Sequence, residues 1–453
     1  MVGSSVSACV FVPIDPRTRG EKLAFTLNNS KCRGVICADY SLAQLADVRA
    51  LLPNLEWIWV LESREDEYLA TDLVDGAESF AAVVDRPFEA VDVRLQTAAD
   101  PLEIIYTSGT TGDPKGVVRT NEQYGAATMF GYLVGFGEQE QTYTGLSLTH
   151  GNAQLMTLAP ALGQGLRAVF SRRFTKSRLW DITRKYGNTC FNLLGGMATA
   201  IYSEPEKPND GDNPVKFVVS AGMPQAIWER FEQRFNLQIL ECYGAIEGGM
   251  AIKPLGQGPI GSFGKSVPGL EMRVVDDNDQ PCAPGVQGEL VCRPEGGVAP
   301  RVEYYANDKA SDAKTRGGWL RSGDICHADD EGWLFFDYRR GGGIRHNGDF
   351  VNPGFVEGVV AECEEVSDVF VYGVPAASGS PGEKDVVAAI VVAEPVSFDP
   401  AAVFARCRSG LEPNFVPTYL QVVAEIPKTA SEKPQERFLL DVFTADGEGV
   451  YIE

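Results

Sequence analysis

A loop rich in glycine and hydroxyl groups, at residues 106–117, is well suited to binding phosphate. It reads Tyr-Thr-Ser-Gly-Thr-Thr-Gly-Asp-Pro-Lys-Gly-Val and follows the apolar stretch 102–105. Glycines let successive N–H groups converge on an anion, and the hydroxyl groups and the lysine add donors and charge. Pro114 and Gly116 do not fit a Walker A loop, which argues against a P-loop NTPase. The predicted phosphate-binding residues are Thr107, Ser108, Gly109, Thr110, Thr111, Gly112 and Lys115.

Three further motifs follow this loop along the chain. They are Tyr-Gly-Ala-Ile-Glu at 243–247, Leu-Arg-Ser-Gly-Asp-Ile at 320–325 and Pro-Lys-Thr-Ala-Ser-Glu-Lys at 427–433. In this order, the loop and the motifs resemble the signatures of the AMP-binding adenylate-forming superfamily. That superfamily contains acyl-CoA synthetases, peptide-synthetase adenylation domains and luciferases. The resemblance extends over nearly the whole chain.

The resemblance implies a site for ATP and Mg²⁺. Tyr243 would stack on adenine, Gly244 would follow it in the same motif, and Glu247 would bind magnesium together with Thr107. Asp324 would accept hydrogen bonds from the ribose hydroxyl groups, and Arg339 would reach the ribose or the phosphate.

Gly222 lies in the segment 220–224, which resembles the loop along the adenine face. An ordinary strand-to-helix turn explains this segment almost as well, and its place in the motif order favours the adenine loop.

The resemblance also assigns two residues to the acyl-transfer chemistry. Lys433 would bridge the acyl carboxylate and the α-phosphate during attack, and His150 would lie at the mouth of the acyl pocket. A solvated lysine and a structural histidine are the alternatives for these two positions. The segment 192–197 is a further candidate for lining the acyl pocket, although close helix packing explains its two glycines equally well.

The chain departs from the family pattern at several positions. Ile246 replaces a threonine that contacts the α-phosphate, Glu432 replaces a glycine, and Phe355 replaces a glutamate. Relatives also carry a further stretch before the point where this sequence begins, so we expect exposed apolar surface on the remaining N-terminal sheet. These departures keep a non-catalytic nucleotide-binding relative open as an alternative.

Composition limits the classes of protein and partner. The 453 residues include 40 Lys and Arg against 62 Asp and Glu, a formal net charge of −22, which argues against nucleic acid or an anionic membrane as a partner. The ten cysteines have no Cys-x-x-Cys spacing and only three histidines occur, so we expect reduced thiols and no zinc site. No stretch approaches the length of a membrane span. We therefore expect a cytoplasmic protein.

Hydrophobic patterning predicts the fold class α/β. Short apolar runs alternate with amphipathic helical stretches, which favours buried parallel strands in a layered domain. After about residue 262, strand pairs punctuated by glycine and proline predict a β-rich subdomain. The predicted strands are 10–12, 34–37, 57–60, 168–170, 216–219, 238–240, 271–275, 288–292 and 386–392, and the predicted helices are 42–52, 225–235 and 353–362.

Three consecutive glycines at 341–343 predict a flexible joint, and Gly341 falls at the hinge position of the family. The predicted organisation is an N-terminal AMP-binding domain at 1–338, a hinge at 339–343 and a small, mobile α+β C-terminal domain at 344–453.

The function that follows is that of an ATP-dependent acyl-CoA synthetase. A carboxylic acid and ATP would give an acyl-adenylate and pyrophosphate, and coenzyme A would then displace AMP. Adenylation followed by transfer to a carrier-protein thiol is the second hypothesis. The expected partners are small molecules, namely the acid, ATP and CoA, and a homodimer is a further possibility for this class.

Overall fold

The structure is a computed structural model that describes residues 1–63, 73–88, 90–107, 114–340, 344–346, 349–377, 384–393, 398–429 and 432–453. Its first part is a small parallel sheet in the order β1-β2-β3, with helices packed on it. The elements are α1 (Val2–Ser7), α2 (Gly20–Asn29), β1 (Gly34–Ala38), α3 (Leu42–Val48), β2 (Trp57–Leu61), β3 (Ala77–Ser79) and α4 (Phe80–Val84). Apolar side chains of α2, α3 and β2 form its core. Ile36, Trp57 and Leu61 are exposed on this sheet.

The next part of the chain forms a hairpin and a sheet of seven strands. The sheet has the order β12-β11-β10-β9-β8-β6-β7, in which β7, β6, β8, β9 and β10 are parallel and β11 and β12 are antiparallel additions. The strands are β4 (Pro101–Thr107), β5 (Lys115–Thr120), β6 (Gln141–Thr144), β7 (Arg167–Phe170), β8 (Cys190–Leu194), β9 (Phe217–Ala221), β10 (Gln238–Ala245), β11 (Gly248–Lys253) and β12 (Lys265–Ser266). The helices are α5 (Asn121–Ala127), α6 (Phe130–Leu133), a π-helix (Ala153–Leu158), α7 (Ala159–Gln164), α8 (Leu179–Tyr186), α9 (Gly195–Tyr202) and α10 (Trp228–Phe235).

Helix α10 illustrates how the sequence builds this layer. Trp228, Phe231 and Phe235 recur at helical spacing and are all buried, so they form one apolar face against the sheet. The helix ends where Asn236 adopts a left-handed conformation with φ of 50°. Strand β10 follows directly and carries Tyr-Gly-Ala, the first three residues of the motif at 243–247.

A separate, antiparallel sheet follows, in the order β13-β14-β16-β15, with β17 paired to β16. Its elements are β13 (Leu270–Val275), β14 (Gly288–Pro294), α11 (Asp308–Lys314), β15 (Thr315–Arg316), β16 (Trp319–Ala328) and β17 (Leu334–Arg339). Strand β16 carries the motif at 320–325, and β17 ends at Arg339. The antiparallel pairing therefore places Asp324 opposite Arg339.

The C-terminal part has its own core and its own four-stranded sheet, β20-β21-β22-β23, in which only β21 and β22 are parallel. A two-stranded ladder of β18 and β19 precedes it. The elements are β18 (Ile344–His346), β19 (Asp349–Val351), α12 (Pro353–Val360), β20 (Val366–Pro375), β21 (Lys384–Val392), α13 (Pro400–Gly410), β22 (Tyr419–Val422), α14 (Glu436–Val442) and β23 (Val450–Ile452).

The layered α/β architecture and the β-rich subdomain are confirmed. The predicted strand at 10–12 is wrong, because Phe11 makes only an isolated parallel bridge to Glu103. The helices predicted at 42–52 and 225–235 each include a 3₁₀ turn, at Arg49–Leu51 and Gln225–Ile227. The hinge residues 341–343, including Gly341, lie outside the described residues, so the domain boundaries stay a prediction. Among the described helices, none combines the length and apolarity that crossing a bilayer requires.

Candidate active site

Asp324 forms the centre of a three-residue hydrogen-bonded group. Its Oδ2 accepts the hydroxyl proton of Tyr243 at 2.5 Å, and its Oδ1 accepts Nη1 of Arg339 at 2.7 Å. Asp324 is 4% exposed, and the side chain of Arg339 is half-exposed. Burial opposes the charge of Arg339, but the carboxylate of Asp324 raises the pKa of Arg339 above its ordinary value. The structure thus brings together three residues that the sequence assigned to adenine and ribose.

Tyr243 has its position fixed on two sides. Its ring lies against Phe263, with centroids 4.8 Å apart, and its hydroxyl faces Asp324. Burial, and then the charge of Asp324, raise the pKa of Tyr243, so its hydroxyl remains a donor. Gly244 follows it, pairs with Met250 on β11 and precedes a bulge in the ladder.

The loop after β9 is organised by Glu241, which sequence reasoning missed. Gly222 adopts φ of 88°, and Glu241 accepts the backbone N–H groups of Gly222 and Met223. Burial raises the pKa of Glu241 to about 7. The available signal was a glutamate within the apolar run 238–242, a position where a charged side chain needs a dedicated partner.

Glu247 lies in a second polar group, together with Tyr304 and Lys314. Its Oε1 accepts the hydroxyl of Tyr304 at 2.8 Å and lies 3.8 Å from Nζ of Lys314. Nζ of Lys115 lies 5.8 Å from the centroid of the Tyr304 ring. Sequence reasoning missed Tyr304 and Lys314, because only the folded chain brings the segment 304–314 next to Glu247. Thr107 and Lys115 face each other across the hairpin of β4 and β5, and Oγ1 of Thr107 donates to the Lys115 carbonyl at 3.4 Å.

Five of the predicted phosphate-binding residues cannot be placed. Ser108, Gly109, Thr110, Thr111 and Gly112 lie outside the described residues. The two ends of that loop, Thr107 and Lys115, are described and close on each other.

Lys433 extends from a short turn in the C-terminal part towards the nucleotide residues. The N–H of Thr429 donates to the Lys433 carbonyl at 2.8 Å, and the N–H of Lys433 donates to Oγ1 of Thr429 at 3.2 Å. Partial burial, followed by the charge of Arg339, lowers the pKa of Lys433, while Asp324 raises it. The ammonium group of Lys433 is therefore within electrostatic range of both Arg339 and Asp324.

His150 lies at the same site, on the side of the π-helix. Its Nδ1 accepts the N–H of Asn152 at 3.1 Å, and burial together with the charge of Lys433 lowers its pKa to about 4. The imidazole is therefore neutral near pH 7. A δ-methyl group of Ile246 approaches within 3.2 Å of the place where a Cβ on Gly151 would lie, so an apolar group adjoins this segment.

A buried amide network continues from His150 towards the segment predicted to line the acyl pocket. Oγ1 of Thr157 donates to the Asn192 amide oxygen at 3.0 Å, and the Asn192 amide nitrogen donates to the side chain of Asn152. Thr157 belongs to the π-helix, a backbone form that occurs frequently at functional sites. The network fixes the backbone on one side of the site.

Comparisons with known proteins identify the family and the fold. The family described as AMP-binding enzyme matches residues 1–300, and its C-terminal domain matches residues 356–433. A medium/long-chain-fatty-acid–CoA ligase, FadD17 of Mycobacterium tuberculosis (strain ATCC 25618 / H37Rv), is 31% identical over 97% of this chain and 83% of its own. A steroid-22-oyl-CoA synthetase of Rhodococcus jostii (strain RHA1) is 28% identical over 96% of this chain and 78% of its own.

Solved structures share the fold. The anthranilate CoA ligase AuaEII in complex with anthranoyl-AMP superposes with a TM-score of 0.81 at 22% identity, over 96% of this chain and 82% of its own. ATP-bound MatB from Rhodopseudomonas palustris gives a TM-score of 0.79 at 18% identity, over 97% of this chain and 85% of its own. Because the family match takes in residues 1–300 of 453 and the mycobacterial ligase is 31% identical over nearly the whole chain, this protein belongs to the AMP-binding enzyme family.

Proposed function

We propose that this protein is an ATP-dependent acyl-CoA synthetase, which makes an acyl-adenylate and then an acyl-CoA thioester. The observation that carries the proposal is the hydrogen-bonded group of Asp324 with Tyr243 and Arg339, which suits adenine and ribose. The turn that carries Lys433 packs against helix α9, where a Cβ on Gly196 would lie 3.7 Å from the Glu432 carbonyl, and this supports a role for Lys433 at the reacting phosphate. The similarity to curated acyl-CoA ligases over nearly the whole chain supports the same activity.

Adenylation joins the carboxylate oxygen of the acid to the α-phosphorus of ATP, while the bond to the leaving pyrophosphate breaks. Lys433 would neutralise charge that builds up on the carboxylate and the α-phosphate, and such preorganised charge contributes a few kcal/mol. In the second step, the CoA sulfur attacks the acyl carbon, its proton leaves and AMP departs. His150, being neutral and held through Nδ1, would orient the carboxylate through its other ring nitrogen.

Magnesium fits the residues around Glu247. One of the two oxygens of this carboxylate accepts the Tyr304 hydroxyl, and the Lys115 ammonium group, which suits the phosphates, lies 5.8 Å from the centroid of the same tyrosine ring. Magnesium commonly binds through one or two carboxylates plus substrate phosphates, so Glu247 would hold the ion with help from Thr107. The bound ion would neutralise charge on the phosphate oxygens.

The proposed acid has an apolar tail. The name of FadD17 specifies medium- and long-chain fatty acids, and the name of the Rhodococcus relative specifies a steroid-22-oyl group. Ile246 adds an apolar group next to Gly151, in agreement with such a substrate. The domain boundaries at 338 and 344, a homodimer and a cytoplasmic location remain predictions, for which limited proteolysis, light scattering and cell fractionation are the measurements.

Pyrophosphate exchange with a panel of acids, followed by a CoA-dependent thioester assay, tests the function. The panel holds short, medium, long, aromatic and steroid acids. We expect exchange and thioester formation with apolar acids. Exchange without thioester would favour transfer to a carrier-protein thiol, and ATP binding without exchange for any acid would favour a non-catalytic relative.

A further inference from the structure

Among the residues that the structure describes, only one of the two carboxylate oxygens of Glu247 is contacted by protein donors. Oε1 accepts a hydrogen bond from the Tyr304 hydroxyl at 2.8 Å and forms an ion pair with the Lys314 ammonium group at 3.8 Å. Within the described ranges, Oε2 takes no hydrogen bond from the protein. The side chains of Glu247 and Lys314 are 10% and 13% exposed, so water competes little for these contacts. The two oxygens of this carboxylate are therefore not equivalent.

Tyr304 is itself fixed by the strand that carries Lys115. Its N–H donates to Oγ of Ser311 at 2.9 Å, and it forms an isolated bridge with Val117 on β5. Its two chain neighbours also bond to β5: the Tyr305 N–H donates to the Gly116 carbonyl at 2.7 Å, and the Glu303 carbonyl accepts from Val118 at 2.9 Å. The buried ring of Tyr304 thus has the Lys115 ammonium group 5.8 Å from its centroid and Glu247 at its hydroxyl.

We infer that Tyr304 is a positioning residue for the magnesium-binding carboxylate, and that Lys314 assists it. Because the hydroxyl occupies Oε1, Glu247 presents Oε2 alone. A single carboxylate oxygen suits magnesium, which requires near-octahedral geometry and keeps positions for water and phosphate oxygens. The same tyrosine joins Glu247 to the strand of Lys115, so the cation and the phosphate-binding lysine would keep a fixed separation. This inference rests on the proposed use of MgATP.

The test compares Tyr304→Phe with Tyr305→Phe, a neighbouring tyrosine with no part in this contact. Calorimetry measures the affinity for the α,β-methylene analogue of ATP, once with magnesium and once with EDTA. We expect Tyr304→Phe to reduce the magnesium-dependent gain in affinity about tenfold, and to change the EDTA value by less than about twofold. Tyr305→Phe should keep the wild-type gain. An unchanged gain in Tyr304→Phe, or an equal loss in Tyr305→Phe, would overturn the inference.

Two further measurements separate a positioning role from a structural one. In pyrophosphate exchange, Tyr304→Phe should need about tenfold more magnesium for half-maximal rate and recover the wild-type kcat at saturating magnesium. If Tyr304→Phe does not fold, as judged by melting, Lys314→Met takes its place with the same expected direction, and an unchanged magnesium dependence there refutes the inference. If the wild-type protein binds the analogue but catalyses no pyrophosphate exchange, the enzyme function is refuted, while the comparison of binding between the variants stays valid. Wild-type protein that does not bind the analogue would refute both.

Discussion

Asp324→Asn is the substitution for which the structure gives the sharpest expectation. The two oxygens of Asp324 accept two different donors, the hydroxyl of Tyr243 and the guanidinium of Arg339. An amide of the same shape offers one acceptor and one donor group. Whichever way the asparagine turns, one of the two donors then faces an N–H group. The arrangement that would hold the ribose is therefore lost although the volume of the side chain is unchanged.

We expect Asp324→Asn to lower the stability of the fold and the affinity for ATP by different amounts. A hydrogen bond to a charged group is worth about 1.5–3 kcal/mol. Since the Arg339 side chain is 51% exposed, water takes over part of that interaction, and we expect a loss of only about 1–2 kcal/mol of unfolding free energy. The ribose hydroxyl groups would lose a charged acceptor in a site that excludes water, so ATP should bind about 10- to 100-fold more weakly.

The matched control is Asp337→Asn. Asp337 is also buried, lies on β17 and forms a 3.0 Å contact with Nδ1 of His327, so its loss should also destabilise the fold. Calorimetric titration with ATP and denaturant unfolding are measured for both variants. We expect the control to bind ATP within about twofold of wild type. Wild-type ATP affinity in Asp324→Asn, or an equal loss in Asp337→Asn, would refute the assignment of Asp324 to the ribose.

Three further predictions concern Lys433, His150 and Glu357. Lys433→Ala should lower the rate of pyrophosphate exchange about 100-fold with little change in ATP affinity, because its charge acts on the reacting groups; the exposed-lysine variant Lys185→Ala is the control. His150 has a pKa of about 4 in the folded protein and is protonated below about pH 6.5 when unfolded, so the stability it contributes falls as the pH drops. Between about pH 6.5 and pH 5, the unfolding free energy of wild type should therefore fall by about 2 kcal/mol more than that of His150→Asn. The same pH dependence in both proteins would contradict this. Glu357 is partly buried, accepts the Val371 N–H at 2.9 Å and has its pKa raised to about 7 by desolvation, so the folded protein loses stability as the pH rises from about 4.5 through 7. The melting temperature of Glu357→Gln should thus gain on wild type between about pH 5 and pH 8, and a constant difference would argue against it.

The sequence predicted those parts of the site that lie in contiguous motifs. Tyr243, Asp324 and Lys433 each belong to a recognisable run, and the structure brings them to one place. Glu241, Tyr304 and Lys314 were missed, because each acts through a residue far away in the chain. A tyrosine near residue 300 carries no local sign that it will meet a carboxylate at 247.

The fold shows the same division between local and distant information. Alternation of apolar runs and amphipathic stretches was sufficient for the layers and for most strands. The run at 10–12 failed because a strand needs a ladder of partners, and only Phe11 has one, through its bridge to Glu103. Strand order and the pairing of β16 with β17 depend on contacts between distant segments, so patterning alone did not predict them.

The start of helix α9 connects the two halves of the site. A Cβ on Gly195 would overlap the Gly222 carbonyl, so the glycine permits close contact with the loop that Glu241 organises. A Cβ on Gly196 would lie 3.7 Å from the Glu432 carbonyl, which places the Lys433 turn against the same helix. Close packing therefore accounts for Gly195, whereas a side chain at Gly196 would meet only ordinary van der Waals contacts.

Glu432 explains how this turn keeps its shape despite departing from the family motif. It stands where the resemblance expects glycine, yet its φ of 60° lies in the left-handed region that glycine adopts without strain. For a residue with a Cβ this conformation costs about 1–2 kcal/mol. Two backbone hydrogen bonds close the turn around this residue: the Glu432 N–H donates to the Thr429 carbonyl at 2.9 Å, and the Thr429 N–H donates to the Lys433 carbonyl at 2.8 Å. These bonds offset part of the strain, so the turn keeps its shape without the glycine.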